Sequence, residues 1–209
     1  MNSHNIKWIS VFLFCIFFIG CKKKKIEKLA AQLPEETQEG LNTFGCLINN
    51  EIWEPYINPE ITTYVSKTKL TLAESIGGIY IEAYKMDVIP SVGYDKQKIT
   101  LVARGIKSPG RYELIGQMYT DTGIVGFLPT DSNELIGGGV FLFSEKPFER
   151  YATGKLEGKN RPLVLNITRI DFKNKICSGT FSFESFIFYN SINIKKKKIT
   201  HGRFDLKAL

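Results

Sequence analysis

The sequence predicts an all-β domain: antiparallel hairpins forming a β-sandwich or a partly open barrel, preceded by a signal peptide and a flexible tether. Three observations carry this. From Thr43 onward apolar residues recur with period two, the spacing that puts alternate side chains on one face of a strand. Turn residues interrupt the pattern roughly every 8–12 positions. Outside the signal peptide, no stretch of a dozen residues holds the 3.6-residue period of an amphipathic helix, which argues against a parallel α/β fold. The chain has 209 residues, 43% hydrophobic and 12% aromatic, enough apolar material to exclude a disordered chain and to fill one core.

Residues 1–20 read as an address. Lys7 is followed by an uncharged, mostly apolar run from Trp8 to Gly20. A membrane-spanning helix needs about 20 apolar residues, so this run is too short, and with a positive residue before it the pattern is that of a secretory h-region. It ends in Phe18-Ile19-Gly20-Cys21. That tetrad resembles a bacterial lipobox, with Phe18 where leucine is usual, and the resemblance implies cleavage before Cys21 and acylation of Cys21. Several acyl chains hold stably where one holds weakly. The expected location is therefore the cell envelope, on the outer membrane. The basic residues after Cys21 favour the periplasmic face over the surface.

Residues 21–42 are expected to be a flexible tether. They open with Lys22-Lys23-Lys24-Lys25 and continue through a polar stretch with Pro34 and no sustained apolar period. The lysines suit either plain solvation or contact with anionic lipid head groups. The net charge of +7 is concentrated in this run and in Lys195–Lys198. A nucleic-acid binder would spread Lys and Arg over a face and would not carry a secretion signal, so nucleic acid is excluded as a partner.

The domain spans 43–209. Phe44, Cys46 and Ile48 share a face, and Asn49-Asn50 supplies a two-residue turn, since Asn tolerates the positive φ that primed turns require. Ile52-Trp53 begins the return strand and Pro55 ends it. Further strands are expected at Lys69–Ala73, Gly78–Tyr84, Lys98–Arg104, Gly110–Ile115, Gly138–Phe143, Arg150–Leu156, Leu163–Asp171, Ile176–Phe188 and Ile199–Leu206. The clearest hairpin is Leu163–Phe188. For Leu163, Leu165 and Ile167 to meet Cys177, Phe181 and Phe183 on one face, the register must have even parity. A three-residue loop, Lys173-Asn174-Lys175, provides it and pairs Ile167 with Phe181 and Leu165 with Phe183. Asn174 or Lys175 should then be left-handed. Gly179, inside the second arm, suggests a bulge or a close backbone approach. Gly77-Gly78 and Gly137-Gly138-Gly139 read as loop hinges, because no phosphate-binding glycine pattern surrounds them.

Candidate chemistry is sparse. Two histidines, His4 and His201, exclude multi-histidine metal sites, and neither a metal nor another cofactor is expected. Cys46 and Cys177 remain once Cys15 leaves with the signal and Cys21 is acylated. They are either a disulfide across a long loop or two separate buried thiols. Trp53, Tyr56 and Tyr64, with Tyr84, could form an aromatic binding surface or simply pack. His201 could pair with Asp205 or Asp171 as an acid–base unit, though a turn histidine is the plainer reading. Asp121-Thr122-Gly123 matches an aspartic-protease triplet without its apolar context and reads as a polar turn.

Three segments resemble a family of small lipoproteins of Bacteroidetes-type bacteria, classed as a domain of unknown function. They are Thr43–Asn49 followed by Trp53, then Ile167–Asp171 with Ser178–Phe183, then Ile199–Asp205. The resemblance implies an envelope lipoprotein with a β-rich domain and supplies no catalytic residues. The expected function is a non-enzymatic binding or structural β-domain, anchored to the membrane through Cys21, whose partner is an envelope protein or glycan. The alternatives are an envelope hydrolase acting on glycans or peptides and a lipocalin-like carrier of an apolar ligand.

Overall fold

The computed structural model describes residues 24–61, 66–89, 93–115, 118–119, 126–127, 136–143, 149–156, 159–189 and 193–208. Sixteen strands lie among them: β1 (Thr43–Ile48), β2 (Glu51–Trp53), β3 (Tyr56–Ile57), β4 (Thr68–Ala73), β5 (Gly78–Ile89), β6 (Gly93–Arg104), β7 (Gly110–Leu114), β8 (Met118–Tyr119), β9 (Gly126–Phe127), β10 (Ile136–Phe143), β11 (Glu149–Ala152), β12 (Gly154–Leu156), β13 (Lys159–Arg161), β14 (Leu163–Asp171), β15 (Ile176–Tyr189) and β16 (Asn193–Lys207). The all-β expectation holds, and among the described residues the sheets pack without closing into a barrel.

Twelve strands form one branched sheet in the order β2-β1-β16-β15-β11-β10-β6-β5-β3, with β14 and β7 branching from β15 and β4 pairing with β5. Among the described strands every pairing is antiparallel except β3 with β5. β15 is the pivot. Its first half pairs with β14, while Phe186 farther along pairs with Ala152 of β11. The sheet thus divides into two sets of strands whose apolar faces meet in one core. Phe44, Cys46, Phe181, Ile199 and Phe204 contribute from one side, and Ile79, Ile81, Ile99 and Leu101 from the other. They are alternate positions along their strands, as period two requires, except on β16, where the inward residues change parity between Phe204 and Ile199.

The β1–β2 turn is as expected. Ile48 pairs with Glu51, and Asn49 and Asn50 have φ of 50° and 69°. The β14–β15 hairpin reaches even parity by a different route. Its loop has four residues, since Asp171 pairs with Ile176. That length alone would turn Phe181 and Phe183 outward. One extra residue in β14, Thr168, shifts the register between Ile167 and Arg169, so Leu165 meets Phe181 and Ile167 meets Gly179. Asp171 explains the four-residue loop. Its carboxylate accepts from the Asn174 backbone N at 2.9 Å and Asn174 Nδ2 at 2.8 Å, and Lys175 takes φ of 58°. Gly179 lies opposite the bulge, and a Cβ there would stand 2.2 Å from the Asn166 carbonyl oxygen.

The two glycine clusters differ from one another. Gly77, at φ 57°, ends a short 3-10 turn, Glu74–Ile76, as the hinge reading expects. Gly137, Gly138 and Gly139 are not a hinge. They lie within β10, opposite Ala103, Val102 and Leu101 of β6.

The tether expectation fails from residue 24 onward. Residues 24–30 are helical, and Ala30 and Leu33 are buried with Leu47 in a second apolar cluster that Ile26, Leu29 and Ile52 complete. Leu47 and Ile52 are the outward residues of β1 and β2, so this segment covers an apolar patch that the core does not use. The next stretch is bound through its backbone: the Pro34 carbonyl accepts from Arg203 at 3.0 Å and the Gln38 carbonyl from Arg169. Apolar residues too few to show periodicity were enough to dock the segment, because a complementary patch awaited them.

Candidate functional site

A cleft of about 850 Å³ opens at the seam between the two sets of strands. β4 forms one wall. Leu70, Leu72, Phe172 and Ala208 supply apolar lining, while Lys69, Lys175 and Lys207 supply positive charge. β4 pairs with β5 alone among the described strands, so no described strand covers its other edge, which lies beside the cleft.

Glu82 and Tyr84 of β5 also line this cleft. Glu82 is 7% exposed, and its Oε1 accepts from Lys98 Nζ at 2.8 Å and Tyr80 Oη at 2.7 Å. Burial pushes its carboxyl upward, but the bonds from Lys98 and Tyr80 with the Lys98 charge outweigh it, so Glu82 stays below the usual carboxylate range. Burial raises the Tyr80 and Tyr84 phenols, and the Glu82 anion raises both further. Lys96 and Lys98 stand over the Tyr84 ring, 5.3 Å and 5.7 Å from its centroid. A fixed anion and two phenols held protonated make a rigid array of hydrogen-bonding groups. A general acid of the glycosidase kind requires a carboxyl held protonated, and Glu82 is held in the opposite state.

The second buried carboxylate is Asp205, 1% exposed. It accepts from Ser178 Oγ at 2.5 Å, Thr37 Oγ1 at 2.6 Å and the backbone N–H groups of Glu39, Gly40 and Leu41. Burial works against its charge, but these donors prevail and hold its carboxyl at about 2. Asp205 is a clasp between the N-terminal segment and β15–β16, not a partner of His201. His201 is exposed, with φ of 54°. Asp171, the other proposed partner, is bonded to Asn174 and Arg169.

The remaining expected residues are scattered. Trp53 is 4% exposed and belongs to the core, edge-on to Phe44 at 6.1 Å, with Nε1 donating to Gln97 at 2.8 Å. It cannot form an aromatic surface with Tyr56, which is 40% exposed on β3. Tyr64, Cys21 and Asp121–Gly123 lie outside the described residues. Cys46 and Cys177 are separate buried thiols. β16 lies between β1 and β15, and Gly45 and Thr180 both pair with Arg203 while Cys177 pairs with Leu206. The two cysteines are therefore offset along the strands as well as separated by at least two strand spacings, about 9.5 Å, beyond the roughly 7 Å that a disulfide spans. Among the described residues no group of three or more His, Cys, Asp or Glu side chains could hold a metal ion.

Sequence reasoning missed Glu82, Tyr80 and Lys98. The signal was present in β5, where Tyr80, Glu82 and Tyr84 alternate with Ile79, Ile81 and Ala83 and so define its polar face. No family model, curated protein or solved structure matches the chain.

Proposed function

We propose that the chain is a lipid-anchored β-domain of the bacterial cell envelope, held through Cys21, whose role is to bind an extended segment of an envelope protein. The observation that carries the binding role is the cleft of about 850 Å³ running beside the edge of β4 that no described strand covers. Strand addition to such an edge provides main-chain hydrogen bonds, and the flanking pockets select side chains. Leu70 and Leu72 offer apolar contact there, and Lys69 and Lys207 favour acidic positions in the ligand. The anchor rests on the Trp8–Gly20 run and Cys21.

The competing readings have less in their favour. The hydrolase would draw on Glu82, whose ionised state suits it poorly. The apolar carrier would need a hollow barrel, whereas the space between the strands is filled by packed side chains.

Placing a photoactivatable crosslinker at Lys69 or Thr71, both exposed on β4, tests the reading in intact cells. Adducts with one polypeptide are expected, and the same probe at the exposed Arg111 should give none. Equal adducts from the two places, or release of product from an envelope glycan or peptide by the purified protein, would overturn it. The anchor is checked separately: Cys21→Ser should move the protein out of the membrane fraction.

A further inference from the structure

About 170 positions of sequence separate Lys24 and Lys25 from Lys196 and Lys198, yet the fold brings both pairs to one outer sheet face. The register of β1 with β16 places Leu47 opposite Thr200 and Ile48 opposite Ile199. Ile48 and Ile199 point into the core, so Leu47 and Thr200 share the outer face. Alternation along β16 then puts Lys198 and Lys196 on that same face, and both are exposed. The helical segment 24–30 packs on this face over Leu47 and Ile52, with Lys24, Lys25 and Lys28 exposed. The carboxylates near this face are Glu27 on the helix, Glu51 at the β1–β2 turn and Glu54 just after β2, while Glu36 of the N-terminal segment is paired with Arg203 at 3.4 Å. Glu184, opposite Lys198, is bonded to Arg161 at 2.7 Å. Lysines therefore outnumber carboxylates on the face.

Covalent reach adds a second constraint. Residue 24 already belongs to the packed segment, so only three peptide steps separate it from Cys21, at most about 11 Å of chain. A domain acylated at Cys21 cannot stand away from the bilayer as one on a 20-residue tether could.

We propose that this face, Lys24, Lys25 and Lys28 with Lys196 and Lys198, docks flat on the anionic phospholipid head groups of the membrane that holds the anchor. The proposal rests on the lipid-anchor reading and adds the domain's orientation to it. The acyl group fixes the distance and the lysines fix the face. The β4 cleft, which is lined at the end of β16 by Lys207 and Ala208, far from Lys196 and Lys198, is left open to a ligand.

The test uses the acylated protein reconstituted on two kinds of vesicle, neutral phosphatidylcholine and phosphatidylcholine mixed with phosphatidylglycerol. A water-soluble amine-acylating reagent is applied, and each lysine is quantified by mass spectrometry. On the anionic vesicles Lys24, Lys25, Lys28, Lys196 and Lys198 should react at least about threefold more slowly than on neutral ones. High salt should erase the difference by screening. Lys173, in the β14–β15 loop at the opposite end of β15, and Lys107 should react equally on both. The Lys196→Glu/Lys198→Glu variant, whose changes are confined to exposed positions, should lose protection at Lys24, Lys25 and Lys28. Equal reaction of the five lysines on both vesicle types overturns the docking while leaving the anchor intact. A protein that stays off both vesicle types overturns the anchor and the docking with it.

Discussion

Asp205 does more for the molecule than any residue that the sequence marks as chemical. Nothing in the linear pattern distinguishes it from the other acidic residues, because its partners Thr37, Glu39, Gly40 and Leu41 lie some 165 positions away in a stretch that reads as linker. Only the fold shows a carboxylate closed over by donors. Replacing it with alanine leaves the Ser178 hydroxyl and three backbone N–H groups without their acceptor. Bonds to a charged acceptor and the penalty for stranding buried donors together set the loss at about 2–4 kcal/mol, read as a lower urea midpoint for Asp205→Ala. The clasp also sets an acid limit. A carboxyl held near 2 in the folded state and near 3.9 when unfolded stabilises the fold fully above pH 4. That stability drains as pH falls from about 4 to 2, and Glu82, also depressed, adds to the loss in the same direction. The wild type should lose stability steeply over that window and Asp205→Asn much less so, as thermal melts across the range will record.

At the scale of elements, parity was legible and its mechanism was not. The alternation in β14 and β15 required their odd-numbered apolar residues to share a face, and they do. A loop length was the simplest way to satisfy that. The chain instead uses Asp171 to build a four-residue turn and a bulge at Thr168 to correct the register. β16 uses the same device. Both of its neighbours slip by one residue across the same place, between Gly45 and Leu47 on β1 and between Phe181 and Phe183 on β15. The residue they share is His201, at φ 54°. It turns the inward series Phe204 and Leu206 into the inward Ile199, a change of parity that one continuous strand could not make. His201 is therefore a backbone device, and its imidazole is dispensable. His201→Gly, free of the side-chain penalty in the left-handed region, should match or exceed the wild type in stability by up to about 1 kcal/mol. His201→Val should lose at least that much, because β-branching makes the left-handed region worse. If chemical denaturation ranked the valine variant above glycine, the bulge would not be what holds this position.

The whole molecule is two sets of strands around one core with the N-terminal segment strapped across an outer face. The all-β class and most strands followed from the period-two pattern. The strap did not, because residues 24–42 present too few apolar positions to show any period, and their partners Leu47 and Ile52 read as the solvent side of a hairpin. The cleft did not either, since it exists only where distant edges fail to close. The thiols show what topology adds to composition. An even pair of cysteines in a chain proposed to be exported leaves a disulfide open as a reading, and both cysteines do point inward. The insertion of β16 between β1 and β15 is what keeps them apart. Burial pushes the Cys177 thiol up to about 12, and burial raises Cys46 as well, so neither forms a reactive thiolate at neutral pH. The fold should then be indifferent to redox state, with the same melting temperature in the presence and absence of reductant. In the folded protein the peptides containing Cys46 and Cys177 should stay unmodified by iodoacetamide, and in denaturant without reductant both should alkylate fully. A denatured sample in which both resist alkylation until reductant is added would mean that the two are bonded and that β16 does not separate them.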